Sequence, residues 1–347
     1  MDVRLSPEQG ALRDAAARIV DRWGPRTVEQ LGDTGRADEL AAAVAAAGWR
    51  ELRVAEGGGE PLASGVEVAI VAEELGRRLA DVAFLGPTLA AELRRLAGAP
   101  TATGPETVLL VATLADLAVT AGGDAPPDAL AVDAQGSTAA LLVMPDGPGH
   151  RLARVPLSAA EVRTDLTRPM ARPGSSAVVE LEGATGGCLT AEDLRRWLAL
   201  GLAVTCADLV GTMRGAIELA VDYASSRQQF GRSIGSFQAV QHLLAEAYVQ
   251  MEGSVSVARH AAWATDALPA DRALGAASVA KAYCARAART VCETSIQVHG
   301  GIGNTWECLA HVHLRRALVS GELLGGAGAS LQRVLAHQGI GGDDGLR

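Results

Sequence analysis

From Leu194 to Ala220 a stripe of core-type residues returns about every four positions: Leu194, Leu198, Leu202, Thr205, Leu209, Met213, Ile217 and Ala220. That spacing puts them on one face and predicts a long helix buried along its length. Thr190 stands where a cap is needed, with Asp193 three residues on. Two more Ala/Leu-rich runs follow, at 237–266 and 271–298, with Leu244, Tyr248, Met251 and Val255 inward on the first and Leu268-Pro269 between them. Three long helices joined by short connections predict an antiparallel bundle. A final pair of helices is expected at 305–319 and 323–337, with Gly341-Gly342-Asp343-Asp344 as a frayed tail.

The first hundred residues are helical by the same test. Ser6-Pro7-Glu8-Gln9 reads as a capped start, and Leu12, Ala15, Ala16, Ile19 and Val20 give it one buried face. Further helices are expected at 37–47, 65–79 and 87–96, with the glycines at 57–59 as a break. At Pro100 the pattern changes. Short strand-like runs appear at 107–111, 129–132, 139–144 and 177–181, separated by turn signals such as Gly122-Gly123 and Pro145-Asp146-Gly147-Pro148-Gly149. The expected fold is mainly α with a small central β-domain, divided into 1–100, 101–187 and 188–347.

Composition sharpens this picture. Apolar residues make up 48% and aromatics only 3%, so small side chains fill the core, which suits closely packed helices. A net charge of −9 argues against nucleic acid or an anionic membrane as the main partner. An anionic ligand then needs a local basic pocket. Cys188, Cys206, Cys284, Cys292 and Cys308 show no C-x-x-C pairing and read as buried thiols of a reducing, cytoplasmic setting. The polar start of the chain has no secretory pattern, and no unbroken apolar run approaches the ~18 residues of a membrane span.

The segment 226–242 interrupts the helical pattern. It holds two of the three Phe in the chain, Phe230 and Phe237, together with Arg227, Gln229, Gln238, Gly231 and Gly235. Arg227 can pair bidentately with a phosphate, the rings offer flat surfaces, and the glycines allow close backbone approach. Two readings fit these residues: a nucleotide-diphosphate loop, or a helix connection with a solvated Arg.

The run Arg227-Gln228-Gln229-Phe230-Gly231 with Phe237-Gln238 resembles the R-x-Q-F-G…F-Q motif of flavin-dependent acyl-CoA dehydrogenases. Gln297-Val298-His299-Gly300-Gly301-Ile302-Gly303 resembles the family's Q-x-x-G-G-x-G, and Glu73-Glu74-Leu75-Gly76-Arg77 its E-E-L-G-R. The resemblance implies a helical domain, a middle β-domain and a helical bundle. It implies FAD as cofactor, an acyl-CoA substrate that undergoes α,β-desaturation, and an electron-accepting flavoprotein as partner. It assigns Arg227 to the pyrophosphate and Gln229, Phe230, Ile234, Phe237 and Gln238 to the adenosine side. Gln297, Gly300 and Gly301 fall to the ribitol–phosphate region.

The chain also departs from the family. The T-E-x-x-x-G-S-D stretch and the Trp of the middle domain, which lies against the flavin ring, are missing: no Trp lies between Trp49 and Trp197. The family's catalytic carboxylate maps to Gly201 or Leu324. Glu322 is the nearest candidate catalytic residue, but two positions along a helix turn it about 200° from Leu324. It also fits a surface carboxylate, and Glu307 fits a helix start. A missing base with weakened ring contacts implies a heteromer, in which this chain brings the nucleotide half of a shared FAD site to a second dehydrogenase-like subunit. The alternatives are a self-associating, self-sufficient flavoenzyme using Glu322 and a flavin-free structural or regulatory subunit. His299 could touch a cofactor phosphate or pack. The Arg195-Arg196, Arg286/Arg289 and Arg315-Arg316 clusters are solvated faces or a CoA phosphate contact. Cys308, His311 and His313 lack a fourth ligand, so no metal is expected.

Overall fold

A computed structural model describes residues 4–55, 59–174, 178–181 and 188–340. Helix α1 (Pro7–Trp23) starts with the reciprocal Ser6/Gln9 capping box that its sequence predicts. Helix α2 (Thr34–Ala46) starts earlier than its apolar pattern, because Asp33 accepts the Arg36 N–H as cap. Helix α3 (Gly65–Arg77) begins at a second capping box, Ser64 with Glu67. Helix α4 (Leu85–Leu96) has no side-chain cap of its own. Asp133 supplies one from the β-domain: its Oδ2 accepts from the Phe84 and Gly86 N–H groups at 2.7 and 3.3 Å.

The central domain is a six-stranded sheet formed by β1 (Glu106–Leu110), β2 (Leu130–Ala131), β3 (Ala139–Asp146), β4 (Gly149–Val162), β5 (Met170–Pro173) and β6 (Val179–Glu180). Its order is β3-β1-β2-β5-β4-β6, and a further β3–β4 pairing closes the first five into a ring. Strand β1 runs parallel to β3, and the other ladders are antiparallel. The longest strand, β4, is absent from the sequence expectation, as is β5. His150, Arg151, Arg154 and Pro156 obscure the alternation of β4. Its partner β3 folds back through Gly147-Pro148, with Gly147 at φ +54°. The ring encloses a small-residue core including Leu109, Ala131, Ala140, Leu142, Ala153 and Val155. The expected strand at 177–181 lies partly outside the described residues, as do the first two glycines of 57–59 and the tail at 341–344.

Helix α5 (Ala191–Ser226) is the axis of the remaining fold and is buried on nearly all sides between Trp197 and Ile217. Among the described helices it alone is long and apolar enough to cross a membrane, with 94% of the relevant window buried inside the protein. Helices α6 (Gln238–Ala267) and α7 (Ala270–His299) pack along it as the sequence predicts, but of the expected inward positions on α6 only Met251 and Val255 are buried: Leu244 is half-buried and Tyr248 faces outward, because the first turns of α6 extend past the bundle core. The last two helices start later than expected. Helix α8 spans Ala310–Glu322, so Thr305-Trp306-Glu307 is a turn and Glu307 starts no helix. Helix α9 spans Ala327–His337, because the backbone reverses at Leu324 and Gly325, with φ +60° and +92°.

Helices α3 and α5 meet backbone to backbone. A Cβ on Gly211 would lie 1.8 Å from the Glu73 carbonyl oxygen, and one on Gly215 2.1 Å from that of Arg77. Gly76 makes the same contact in reverse, 2.4 Å from the Asp208 carbonyl oxygen. Glycine alone permits this approach.

A buried charge network joins the three parts. Asp208 of α5 accepts from Arg316 of α8 at 3.0 and 2.6 Å and from the Ser320 hydroxyl at 2.7 Å. Arg168, in the loop before β5, lies 3.3 Å from Asp208 and 3.0 Å from Asp165. Arg316 also donates to the Ala80 carbonyl and the Thr167 hydroxyl. Burial pushes the Asp208 carboxyl up, but Arg168 and Arg316 beside it outweigh this and hold it below the usual range. Replacing Arg316 by Met leaves Asp208 buried with a weakened charge balance. The expected loss is about 3–5 kcal/mol of unfolding free energy, measurable by urea titration.

Candidate functional site

Both sequence-selected segments lie at one end of the bundle. Helix α5 ends at Ser226, and the Arg227 N–H donates to the Tyr223 carbonyl at 2.8 Å. A two-residue hairpin follows: β7 (Gln228–Gln229) pairs with β8 (Arg232–Ser233), and its loop is Phe230-Gly231. Both loop residues have positive φ, 53° and 77°, the geometry of a type I′ turn. For Phe230 this is an uncommon conformation. It holds the ring 93% exposed, edge-on to Phe237 at 6.3 Å. The Arg232 guanidinium lies 4.1 Å above the Phe237 ring. Arg227, Gln229 and Gln238 are exposed, and Arg227 has no side-chain ion pair among the described residues.

Ile234 anchors this hairpin. It packs on an apolar cluster of Ala220, Ala224 and Val298, with Val240 and Leu244 beside it. Val298 adjoins Gln297, so one cluster seats both segments. Gln297 is exposed. Gly300 turns with φ +64°, and a Cβ on Gly300 or Gly301 would meet nothing within 4 Å. Their backbone is open to approach from outside. Gly303 is cramped instead, with its added Cβ 2.9 Å from the Ile296 carbonyl oxygen. His299 packs: it stacks on Tyr223 at 4.6 Å, and its Nδ1 lies 2.7 Å from the Ser295 carbonyl oxygen.

The two mapped base positions come together and neither is acidic. A Cβ on Gly201 would lie 2.3 Å from Leu324 Cδ1 and 3.3 Å from Leu89 Cδ2. Leu324 is fully buried. Its N–H donates to the Leu114 carbonyl at 2.7 Å, which draws the β-domain side directly onto the bundle. Glu322 closes α8, is exposed, and has its carboxylate against Gly326. Leucines thus occupy the space at Gly201.

Sequence reasoning missed Lys281. It is the only lysine in the chain, it is fully buried, and its Nζ donates to the Ser320 carbonyl. Burial lowers its pKa to about 8. One lysine among so many arginines was the available signal. Among the described residues no group of three His, Cys, Asp or Glu could hold a metal ion. Cys308 Sγ accepts from the Ala310 N–H, while His313 is buried against α5 beside Gly215. Arg195 pairs with Asp271, Arg289 with Glu293, and Arg316 with Asp208.

Known proteins share the sequence and the fold of this chain. Residues 195–339 match the model of the acyl-CoA dehydrogenase C-terminal domain. IpdE2 of Mycobacterium tuberculosis, an acyl-CoA dehydrogenase, is 34% identical over 75% of this chain and 79% of its own length. FadE34 of the same organism is 38% identical over 52% of this chain, a match that spans only 24% of FadE34. The ChsE4-ChsE5 complex of Mycobacterium tuberculosis shares the fold: TM-score 0.75, 21% identity, 98% of this chain and 99% of that one. The chain belongs to the acyl-CoA dehydrogenase family.

Two outcomes follow from the geometry. Gly201→Ala presses a methyl group into Leu324 and is expected to cost about 1–3 kcal/mol by denaturant titration. Adding Leu324→Ala makes room and removes most of the Gly201 penalty, read as coupling in a double-mutant cycle. Second, burial, with Arg316 adding to it, lowers the His313 pKa from 6.5 to about 3. The unfolded chain therefore takes up this proton first as pH falls below 6.5, and stability drops toward pH 3. The slope approaches about 1.4 kcal/mol per pH unit. Urea midpoints between pH 7 and 5 should fall in the wild type and flatten in His313→Asn.

Proposed function

We propose that this chain is the base-lacking subunit of a two-component acyl-CoA dehydrogenase and contributes the nucleotide half of a shared FAD site. The observation that carries this reading is the Gly201–Leu324 contact. Apolar side chains fill the position of the family's carboxylate, while the Arg227 hairpin and the Gly300 turn stay open to solvent.

The residues at the bundle end fit the nucleotide part of FAD. Arg227 offers an unpaired fork for a pyrophosphate. Gln229, Phe230, Ile234, Phe237 and Gln238 supply amides and apolar surface for the adenosine, and the exposed Phe230 ring needs a partner to cover it. Gln297 and the bare backbone at Gly300 and Gly301 suit the ribitol–phosphate region. FAD, when bound, accepts the hydride in α,β-desaturation of an acyl-CoA. In this reading the second subunit brings the base and the ring contacts, and a flavoprotein accepts the electrons. The ChsE4-ChsE5 complex supplies a precedent for two unlike chains.

Co-expression with a neighbouring dehydrogenase gene tests the assignment. Flavin absorbance and dehydrogenase activity should appear in the co-purified complex and not in this chain alone. Arg227→Ala should strip flavin from the complex at least about tenfold more readily, through loss of a charge-assisted contact. Glu322→Gln should leave turnover unchanged. Flavin bound to this chain alone, with turnover abolished by Glu322→Gln, would establish the self-sufficient reading instead.

A further inference from the structure

On the side of α4 facing away from Leu89 and the Gly201 contact lies a cavity of about 330 Å³. It sits between α4, the segment 50–55 and the start of β1. Its volume falls at the small end of the ~300–1,000 Å³ range of ligand pockets. Pro87, Ala91, Val54 and Ala83 give it apolar walls.

Three arginines reach the cavity, and two are already held. Arg94 is paired with Glu106 and donates to the Pro100 carbonyl; Arg95 is paired with Glu92. Arg50 donates only through Nε, to the Ala83 carbonyl at 2.9 Å. Its two terminal amino groups make no ion pair or hydrogen bond among the described residues. The lining also holds Gln135 Oε1 and Ser137 Oγ, both buried atoms without a hydrogen-bond partner among the described residues. Buried polar atoms ordinarily find partners, and these two lack one in the wall of the cavity.

We propose that this cavity binds a small carboxylate with an apolar body. The planar fork of Arg50 matches a carboxylate, and the Pro87/Ala91 wall takes the hydrocarbon. One uncommitted cation, with Glu51 also in the lining, suits a monoanion and disfavours a phosphate dianion. The site is separate from the segments at the bundle end and stands whether or not this chain holds FAD.

Calorimetric titration of the full chain tests it, with octanoate as probe and octan-1-ol and inorganic phosphate as controls. Octanoate should bind once per chain, and the controls should bind at least about tenfold more weakly, since each lacks one of the two recognition elements. Arg50→Gln removes the charge from one wall and Ala91→Phe fills the space from the other. Each variant that keeps the wild-type circular dichroism should lose octanoate affinity by about tenfold or more. Absence of octanoate binding, undiminished binding in a folded variant, or equal binding of either control overturns the proposal.

Discussion

The pairing of Asp208 with Arg316 and Arg168 lies where the first helical domain, the β-domain and the bundle converge. Each partner comes from a different part of the chain: α5, α8 and the loop before β5. Charges this deep are tolerated only when every lone pair and proton is used. Here Ser320, Thr167, Asp165 and the Ala80 carbonyl complete the set. Apolar packing would join the same surfaces in many arrangements. The directional contacts of two guanidinium groups fix one arrangement, and with it the relation of the bundle end to the rest of the molecule.

That fixed seam bears on the chemistry. Because the Leu324 N–H bonds Leu114, the turn between α8 and α9 is tied to the β-domain side. The left-handed Leu324 aims its side chain at Gly201, so an aliphatic chain fills the space between the two positions to which the sequence resemblance maps a carboxylate. The opposite end of the bundle keeps the Arg227, Gln238 and Gln297 side chains exposed. One end of the bundle is sealed by packing at Gly201 and Leu324, and the other presents an outward-facing aromatic at positive φ.

Much of this was legible in the residues. Long helices with a sustained four-residue stripe, such as α5, declare themselves, and so does the capping box at Ser6. The two glycine-bearing loops stood out because they break that rhythm. Strand β4 did not, because its burial pattern arises from closure of the ring and not from local alternation. The start of α8 was misread because Thr305-Trp306-Glu307 has the composition of a helix entry but the geometry of a turn. Lys281 and the Asp208 network escaped because their partners lie far away in sequence, and only folding brings them together.

The bare crossing of α3 and α5 has a mechanical consequence. At the three glycines, where carbonyls meet glycine Cα atoms, no side chain stands between the helices to change rotamer. Such a joint transmits displacement instead of absorbing it. The amino-terminal helices and the bundle axis are therefore locked in one register at Gly76, Gly211 and Gly215, and a side chain added at any of them has to force the two helices apart.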